Sequence, residues 1–147
     1  EACTCGNRGC MEAYCAASAL GRDGVREMRR APDSLLAARS GGKEELVDAK
    51  LVTDCAKAGD PAALRAFRTY LGHLSSACAS IFNILDPEVL AIGGGLCAAG
   101  DFLFEPLQSL VTEKCFYKTR GKVVPAVMGN DAGIIGAAML RRDSTGR

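Results

Sequence analysis

Three cysteines stand within eight residues near the start of the chain, at Cys3, Cys5 and Cys10. Thiolate sulfur is a preferred ligand of Zn²⁺, which takes four ligands in a tetrahedron. Gly6 and Gly9 permit the sharp turns that would aim three thiols at one point. Because clustered exposed thiols oxidise readily, we interpret this run as a zinc-binding loop rather than as three unmetallated thiols.

Three ligands leave a tetrahedral zinc site incomplete. Cys15 could supply the fourth, but it shares a predicted helix face with Met11 and Tyr14, which favours a packing role. The chain has no initiator methionine and begins two residues before the first cysteine. We therefore expect the fourth ligand to lie upstream of Glu1.

Three consecutive glycines, Gly93, Gly94 and Gly95, follow the apolar run 89–92, which predicts a buried strand. Glycines let the backbone approach a ligand closely, and free N–H groups can face phosphate or ribose. A plain turn explains a glycine triplet equally well. The residues alone leave both interpretations open.

The elements that must position these residues are mostly helical. The strongest signal covers residues 61–85, because Asp60 and Pro61 form a helix start and apolar residues recur at spacings of three and four. His73, the only histidine, lies off this seam and is assigned a surface or packing role. The seam predicted to face the core is Leu64, Phe67, Leu71, Leu74, Cys78, Ile81 and Leu85.

Weaker signals define the remaining elements. A helix is predicted from Met11, weakened at Gly21 and Gly24, with a second helical piece over residues 25–30. The other predictions are a helix over residues 43–57, a helix entered at Asp101 and Pro106, a strand over residues 122–128, and a last helix to Leu140 capped by Asp131.

Length and composition restrict the class of protein. The chain has 147 residues, 48% hydrophobic, which suits one domain or one lobe of a larger enzyme. Its net charge of +1 comes from scattered charges, without the basic stripe of a nucleic-acid-binding protein. No run approaches the ~18 apolar residues of a membrane helix. The other cysteines fall mainly at apolar helical positions, which indicates free thiols in the cytoplasm.

The cysteine run, continued through Glu12, resembles the C-x-C-G-x-x-G-C-x-E signature of the ROK family of sugar kinases and their repressor relatives. The stretch from Asn83 and Asp86 to the glycine triplet is similar to that family's N-x-x-D-P-x-x-x-x-x-G-G-G region. The segment from Gly129 through Asn130 and Asp131 to Ala138 is similar to its closing segment. The resemblance thus covers three motifs in the family's order, across nearly the whole chain.

The resemblance implies a fold and a set of roles. The fold is α/β, a helix-rich lobe of an actin-like, ribonuclease H-like ATPase with a small sheet. Cys3, Cys5 and Cys10 would bind structural Zn²⁺, with a histidine from upstream as the fourth ligand. Glu12 would accept hydrogen bonds from sugar hydroxyls, although it could equally be an acid favoured by the helix dipole. The nucleotide site would be lined by Gly93, Gly94 and Gly95.

The implied reaction is transfer of the γ-phosphoryl group of ATP, with Mg²⁺, to glucose or a related hexose. The family's catalytic base and first phosphate loop lie upstream of the zinc motif, so no catalytic residue is assigned in this chain. We expect the chain to be inactive without an N-terminal half, and to form a homodimer. The predicted organisation is a zinc loop and sugar-contacting helix start at 1–15, the C-terminal lobe at 16–140 and a polar tail at 141–147.

Three alternatives stay open. A ROK transcriptional repressor shares these motifs and would bind nucleic acid through a further upstream domain. A bifunctional sugar epimerase/kinase would carry this lobe at its C-terminal end. A free-standing zinc module is a different class, and the incomplete ligand set argues against it.

Overall fold

The computed structural model describes residues 1–117, 121–128 and 131–143. Within these residues the chain forms an α-helical layer against a two-stranded sheet. Single 3₁₀ turns cover Glu44–Leu46 and Gly95–Ala99. The α-helices and strands are α1 (Glu12–Cys15), α2 (Ala17–Arg30), α3 (Leu35–Ser40), α4 (Ala49–Lys57), α5 (Pro61–Leu85), β1 (Val89–Ile92), α6 (Asp101–Lys114), β2 (Lys122–Pro125) and α7 (Ala132–Asp143).

Helix α5 is the centre of the fold, and its predicted bounds are confirmed. Asp60 caps its first turn by accepting a hydrogen bond from the Ala63 N–H at 3.0 Å, and Pro61 occupies the first helical position. Asp86 ends the helix in the left-handed conformation, with φ of 43°. Helices α2, α4 and α6 all pack against α5.

The predicted core seam is confirmed over most of α5 but not at its end. Phe67, Leu71, Leu74 and Cys78 are buried. Leu85 is 72% exposed, so its assignment to the core was wrong. A seam spaced at 3.5 residues drifts by about 20° per heptad on a helix of 3.6 residues per turn. After three heptads the seam has rotated away from the core.

Helix α2 is continuous through both of its glycines, contrary to the prediction of a helix weakened there and followed by a second helical piece over residues 25–30. The break falls instead at Ala16, where an extended backbone (φ −73°, ψ 159°) separates α1 from α2. The glycines are contact points. A methyl group on Gly24 would overlap the Val52 side chain, and one on Gly21 would come within 3.0 Å of the Val47 carbonyl oxygen. Glycine here permits close packing of α2 on α4 and the turn before it.

Helix α4 begins six residues later than predicted. The Asp48 side chain accepts a hydrogen bond from the Leu51 N–H at 2.7 Å and caps a helix that starts at Ala49. The preceding Glu44–Leu46 segment forms only a 3₁₀ turn. The apolar spacing over residues 43–57 did not reveal the N-cap at Asp48. Val47 and Cys55 are both buried, so they read as one helix face although they belong to different elements.

The sheet consists of β1 and β2 in parallel, with Val89 opposite Lys122. Helix α6 connects the two strands, and Pro106 lies inside this helix rather than at its entry. Strand β2 ends at Pro125, three residues earlier than predicted, because β1 ends at Ile92 and offers no further partner. Helix α7 continues to Asp143, three residues beyond the predicted end.

No helix of the described residues has the length and apolar character needed to cross a membrane.

Candidate functional site

A tight loop brings the three N-terminal cysteines together. Ala2 and Arg8 form an isolated antiparallel bridge across its base. The Cys3 N–H donates to the Asn7 carbonyl at 2.8 Å, and the Gly6 N–H donates to the Cys3 carbonyl at 3.0 Å. Gly6 has a φ of 88°, a conformation that other residues adopt with difficulty. Backbone hydrogen bonds thus contribute to the shape of the loop.

The thiols of Cys3, Cys5 and Cys10 lie within 4.8 Å of one another, and the Sγ atoms of Cys5 and Cys10 are 3.6 Å apart. Zinc–sulfur bonds of about 2.3 Å in a tetrahedron require sulfur atoms roughly 3.8 Å apart. Hydrogen bonds from the Asn7 backbone and from the neighbouring thiols lower the pKa of Cys5. The donor set and its spacing therefore fit Zn²⁺.

Cys15 is not part of this thiol cluster. Its side chain is half-buried against the core, and burial raises the pKa of its thiol. Its carbonyl oxygen accepts a hydrogen bond from the Tyr70 hydroxyl at 2.8 Å, which fixes the end of α1 to α5. Among the described residues, the metal-ligand cluster consists of three thiols.

Glu12 is the first residue of α1, two positions after the last cysteine of the loop. Its side chain is exposed. Tyr14 anchors α1 to α5, because its ring packs against the ring of His73 with 4.9 Å between the ring centres. This contact agrees with the packing role predicted for His73. The carboxylate of Glu12 is thus presented to solvent on a short, anchored helix.

The glycine triplet forms an exposed loop directly after β1. Gly94 has φ of 102° and ψ of 168°, and Gly95 begins the 3₁₀ turn. The Ile92 carbonyl at the end of the strand accepts hydrogen bonds from the Ala126 N–H at 2.8 Å and the Cys97 thiol at 3.1 Å. Both sides of the loop are therefore fixed, while the backbone of all three glycines is exposed.

A groove of about 730 Å³ lies beside this loop, and sequence reasoning did not find it. One wall comes from the first half of α2, the second from Val47 through Lys57, and the third from the segment that begins at Gly95. No periodic signal marks such a groove, because its walls come from three distant segments. Its apolar lining includes Val25, Val47, Leu96 and Ala99.

Charged side chains stand at the groove as well. Lys50 pairs with Asp54 at 2.7 Å, and both line the groove. Lys57 lies 5.8 Å from the centre of the Phe102 ring. An apolar cleft with cations beside an exposed glycine backbone can hold a flat ring and an attached anion.

The predicted site residues fall into two groups in the structure. The zinc loop and Glu12 lie at the start of α1, and none of them lines the groove. Gly95 is the member of the triplet that lines it. Asp86 ends α5 in the left-handed conformation. The Asn83 side chain accepts from the Phe116 N–H at 2.9 Å, which links the end of α5 to the segment after α6. Asn130 lies outside the described residues, as does Gly129.

The helical layer, the parallel strands and the glycine loop form one lobe of the actin-like class of ATPase. A protein-family model described as "ROK family" matches residues 1–144. The chain belongs to the ROK family.

Curated relatives include a glucokinase of Thermotoga maritima, 37% identical over 146 residues, and one of Streptomyces coelicolor, 28% identical over 146 residues. These matches cover 98% and 96% of this chain but 46% of each relative. The chain thus spans about half the length of the curated relatives that it matches.

Solved structures of ROK proteins superpose on this chain. A ROK glucokinase of Streptomyces griseus in complex with glucose and AMPPNP superposes with a TM-score of 0.85 at 26% identity, over 95% of this chain and 46% of that one. A ROK hexokinase of Thermus thermophilus gives 0.74 at 28% identity, over 98% and 45%. A ROK transcriptional regulator, 24% identical, has a TM-score of 0.75, which shows the shared fold alone.

Proposed function

We propose that this chain is the C-terminal, sugar- and nucleotide-binding part of an ATP-dependent kinase that acts on glucose or a related hexose. The observation that carries the proposal is the superposition on a glucokinase that holds both glucose and a nucleotide analogue, at a TM-score of 0.85. The same relatives are the reason to expect ATP with Mg²⁺ as the phosphoryl donor.

The nucleotide would occupy the groove beside the glycine triplet. The apolar wall formed by Val25, Val47 and Leu96 suits a purine ring, and the cleft is open at Gly95. There the exposed backbone can approach ribose and phosphate without a side chain in the way. Gly93, Gly94 and Gly95 would therefore position the nucleotide.

The sugar would be held by Glu12. An ionised carboxylate has acceptor lone pairs only, so it suits a row of hydroxyl donors. Cys3, Cys5 and Cys10 would hold Zn²⁺ just before this residue. The metal would supply a structural cross-link that orders the loop, and the thiolates would thereby fix where α1 begins.

The proton balance of the reaction explains why this lobe would need another part. As the sugar oxygen bonds to the γ-phosphorus, the bond to the ADP oxygen breaks and the hydroxyl proton must pass to a base, commonly a carboxylate. We assign that base to the part of the relatives that this chain does not match, together with the fourth zinc ligand and the other phosphate loop.

Coupled ADP release tests this function. The chain extended upstream in its own reading frame should phosphorylate a hexose, with glucose foremost among glucose, mannose, fructose and N-acetylglucosamine. The 147-residue chain alone should give no turnover. In the extended protein, Glu12→Gln should lower kcat/KM by about 10- to 100-fold, because an amide cannot accept from every hydroxyl. Glu113→Gln, at an exposed residue of α6, is the matched control.

Sugar binding without turnover by the extended protein would contradict the kinase and favour the sugar-sensing repressor. A ROK transcriptional regulator shares the fold. A sugar-sensing repressor would use the sugar contacts without the phosphoryl transfer. Homodimerisation stays a prediction for either protein.

Cobalt binding tests the zinc loop apart from any activity. Co²⁺ bound by three thiolates gives intense charge-transfer absorption in the near ultraviolet. We expect one equivalent of Co²⁺ to bind the 147-residue chain, and Cys5→Ser to weaken that binding by at least tenfold, because a thiolate ligand is lost. Cys97→Ser, which changes a thiol outside the loop, should leave the spectrum unchanged. Equal spectra for the two variants would refute the assignment.

A further inference from the structure

Helix α1, which carries Glu12, is too short to hold its own orientation. It has four residues, none of them buried, and an extended backbone at Ala16 follows it. Met11, at its N-cap, makes no side-chain hydrogen bond to the first turn. Isolated helices shorter than about 12 residues are marginal in water. The direction in which Glu12 points must therefore come from contacts between α1 and other elements of the lobe.

Two side chains from other helices hold the carbonyl groups of α1. The last carbonyls of a helix have no partner within the helix. Arg22 on α2 donates from Nη1 to the Ala13 carbonyl at 2.9 Å. The Tyr70 hydroxyl on α5 donates to the Cys15 carbonyl at 2.8 Å. The end of α1 is thus held by one donor from α2 and one from α5.

Of these two donors, Tyr70 is the one whose contact with α1 can be altered by itself. Arg22 also lines the groove beside the glycine triplet, whereas Tyr70 is not among the residues that line it. Tyr70 is 3% exposed, and burial raises the pKa of its hydroxyl, which therefore stays protonated and able to donate. Without that hydroxyl, the part-buried Cys15 carbonyl would lose its donor, at a cost in free energy that reorientation of α1 could relieve.

A ring contact joins the same two helices. The rings of Tyr14 on α1 and His73 on α5 are tilted by 53° with their centres 4.9 Å apart. His73 follows Tyr70 by three residues, so both contacts come from about one turn of α5. One contact is at the end of α1 and the other lies within it. Together they fix both the position and the rotation of this short helix.

We propose that Tyr70 and His73 are positioning residues for sugar binding, because they fix α1 and thereby the direction of the Glu12 carboxylate. The inference rests on the proposed function, since it takes Glu12 as the sugar contact. Neither residue would touch the sugar. Hydrogen bonds between hydroxyl groups and a carboxylate require oxygen atoms about 2.5–3.0 Å apart, so a small change in the orientation of α1 would weaken them.

Glucose affinity in a double-mutant cycle tests this role. The four proteins are the upstream-extended protein, its Tyr70→Phe and Glu12→Ala variants, and the double variant. NMR titration of the sugar measures weak Kd values and needs no turnover. We expect Tyr70→Phe alone to raise the Kd for glucose about 5- to 10-fold, because the phenyl ring keeps the packing and loses the donor. In the Glu12→Ala protein the same change should alter the Kd by less than about twofold, because the group on which it acts is gone.

Two further variants make the test specific. Tyr117→Phe is the matched control at an exposed tyrosine, and it should leave the Kd for glucose within about twofold. His73→Ala removes the ring contact at an exposed position of α5 and should weaken glucose binding only when Glu12 is present. If Tyr70→Phe fails to fold by circular dichroism, the cycle between His73→Ala and Glu12→Ala still decides.

The outcomes separate positioning from catalysis. An unchanged Kd in Tyr70→Phe, or the same weakening with and without the Glu12 carboxylate, would overturn the positioning role and leave the kinase standing. Weakening that depends on Glu12, in a protein that binds glucose without phosphorylating it, would support the positioning role and contradict the kinase. An extended protein that binds no hexose would overturn both.

Discussion

Glu27 on α2 joins this helix to the central helix through Arg65, and it also pairs with Arg30 within α2. Its carboxylate oxygens accept from Arg65 and Arg30, each at 2.6 Å, and its side chain is 12% exposed. Partial burial opposes ionisation, but the hydrogen bonds from Arg65 and Arg30 outweigh it and lower the pKa of Glu27. A nearly buried carboxylate held in this way should matter more to stability than the surface ion pairs of this chain.

Glu27→Gln should therefore lower the free energy of unfolding by about 1–2 kcal/mol at pH 7. Because the folded pKa is below the unfolded value of about 4.3, this contribution is fully present above that value. It is lost as the pH falls through the folded pKa. Urea titrations at pH 7 and pH 3.5 should show the gap between wild type and variant narrowing in acid. Glu44→Gln, at an exposed pair with Arg29, should change little at either pH. Equal effects of the two changes would refute this role.

At the scale of elements, the crossing of α2 over α4 depends on the absence of a side chain at one position. A methyl group at Gly24 would meet the Val52 side chain and come within 3.0 Å of Val47. Both valines are buried and cannot move aside freely. The contact therefore requires glycine for its size.

Gly24→Ala should destabilise the chain by about 1–3 kcal/mol through overpacking, despite the better helix propensity of alanine. Gly72→Ala is the matched control within α5, because a methyl group there would meet no atom within 4 Å. That change should stabilise the chain by about 0.5–1 kcal/mol. Thermal unfolding measures both, and shifts of the same sign would contradict the packing argument.

At the scale of the whole molecule, the sequence predicts those features that depend on residues close together in the chain. The bounds of α5 follow from Asp60, Pro61 and an apolar repeat, and the thiol cluster follows from three cysteines in eight residues. The groove could not be predicted, because its walls are brought together only by tertiary packing. For the same reason, Gly24 was interpreted as a weak point of a helix. Its role depends on Val52, which lies 28 residues further along the chain.

The hydrogen bond from Tyr70 to the Cys15 carbonyl has a mechanical consequence. It fixes α1 to the middle of α5, and the end of the same helix leads through Asp86 into β1 and the glycine triplet. The two candidate ligand sites are therefore both attached to one helix, α5. Rotation of this lobe as a rigid body against another lobe would leave the separation of the two sites unchanged, because both belong to the same rigid unit.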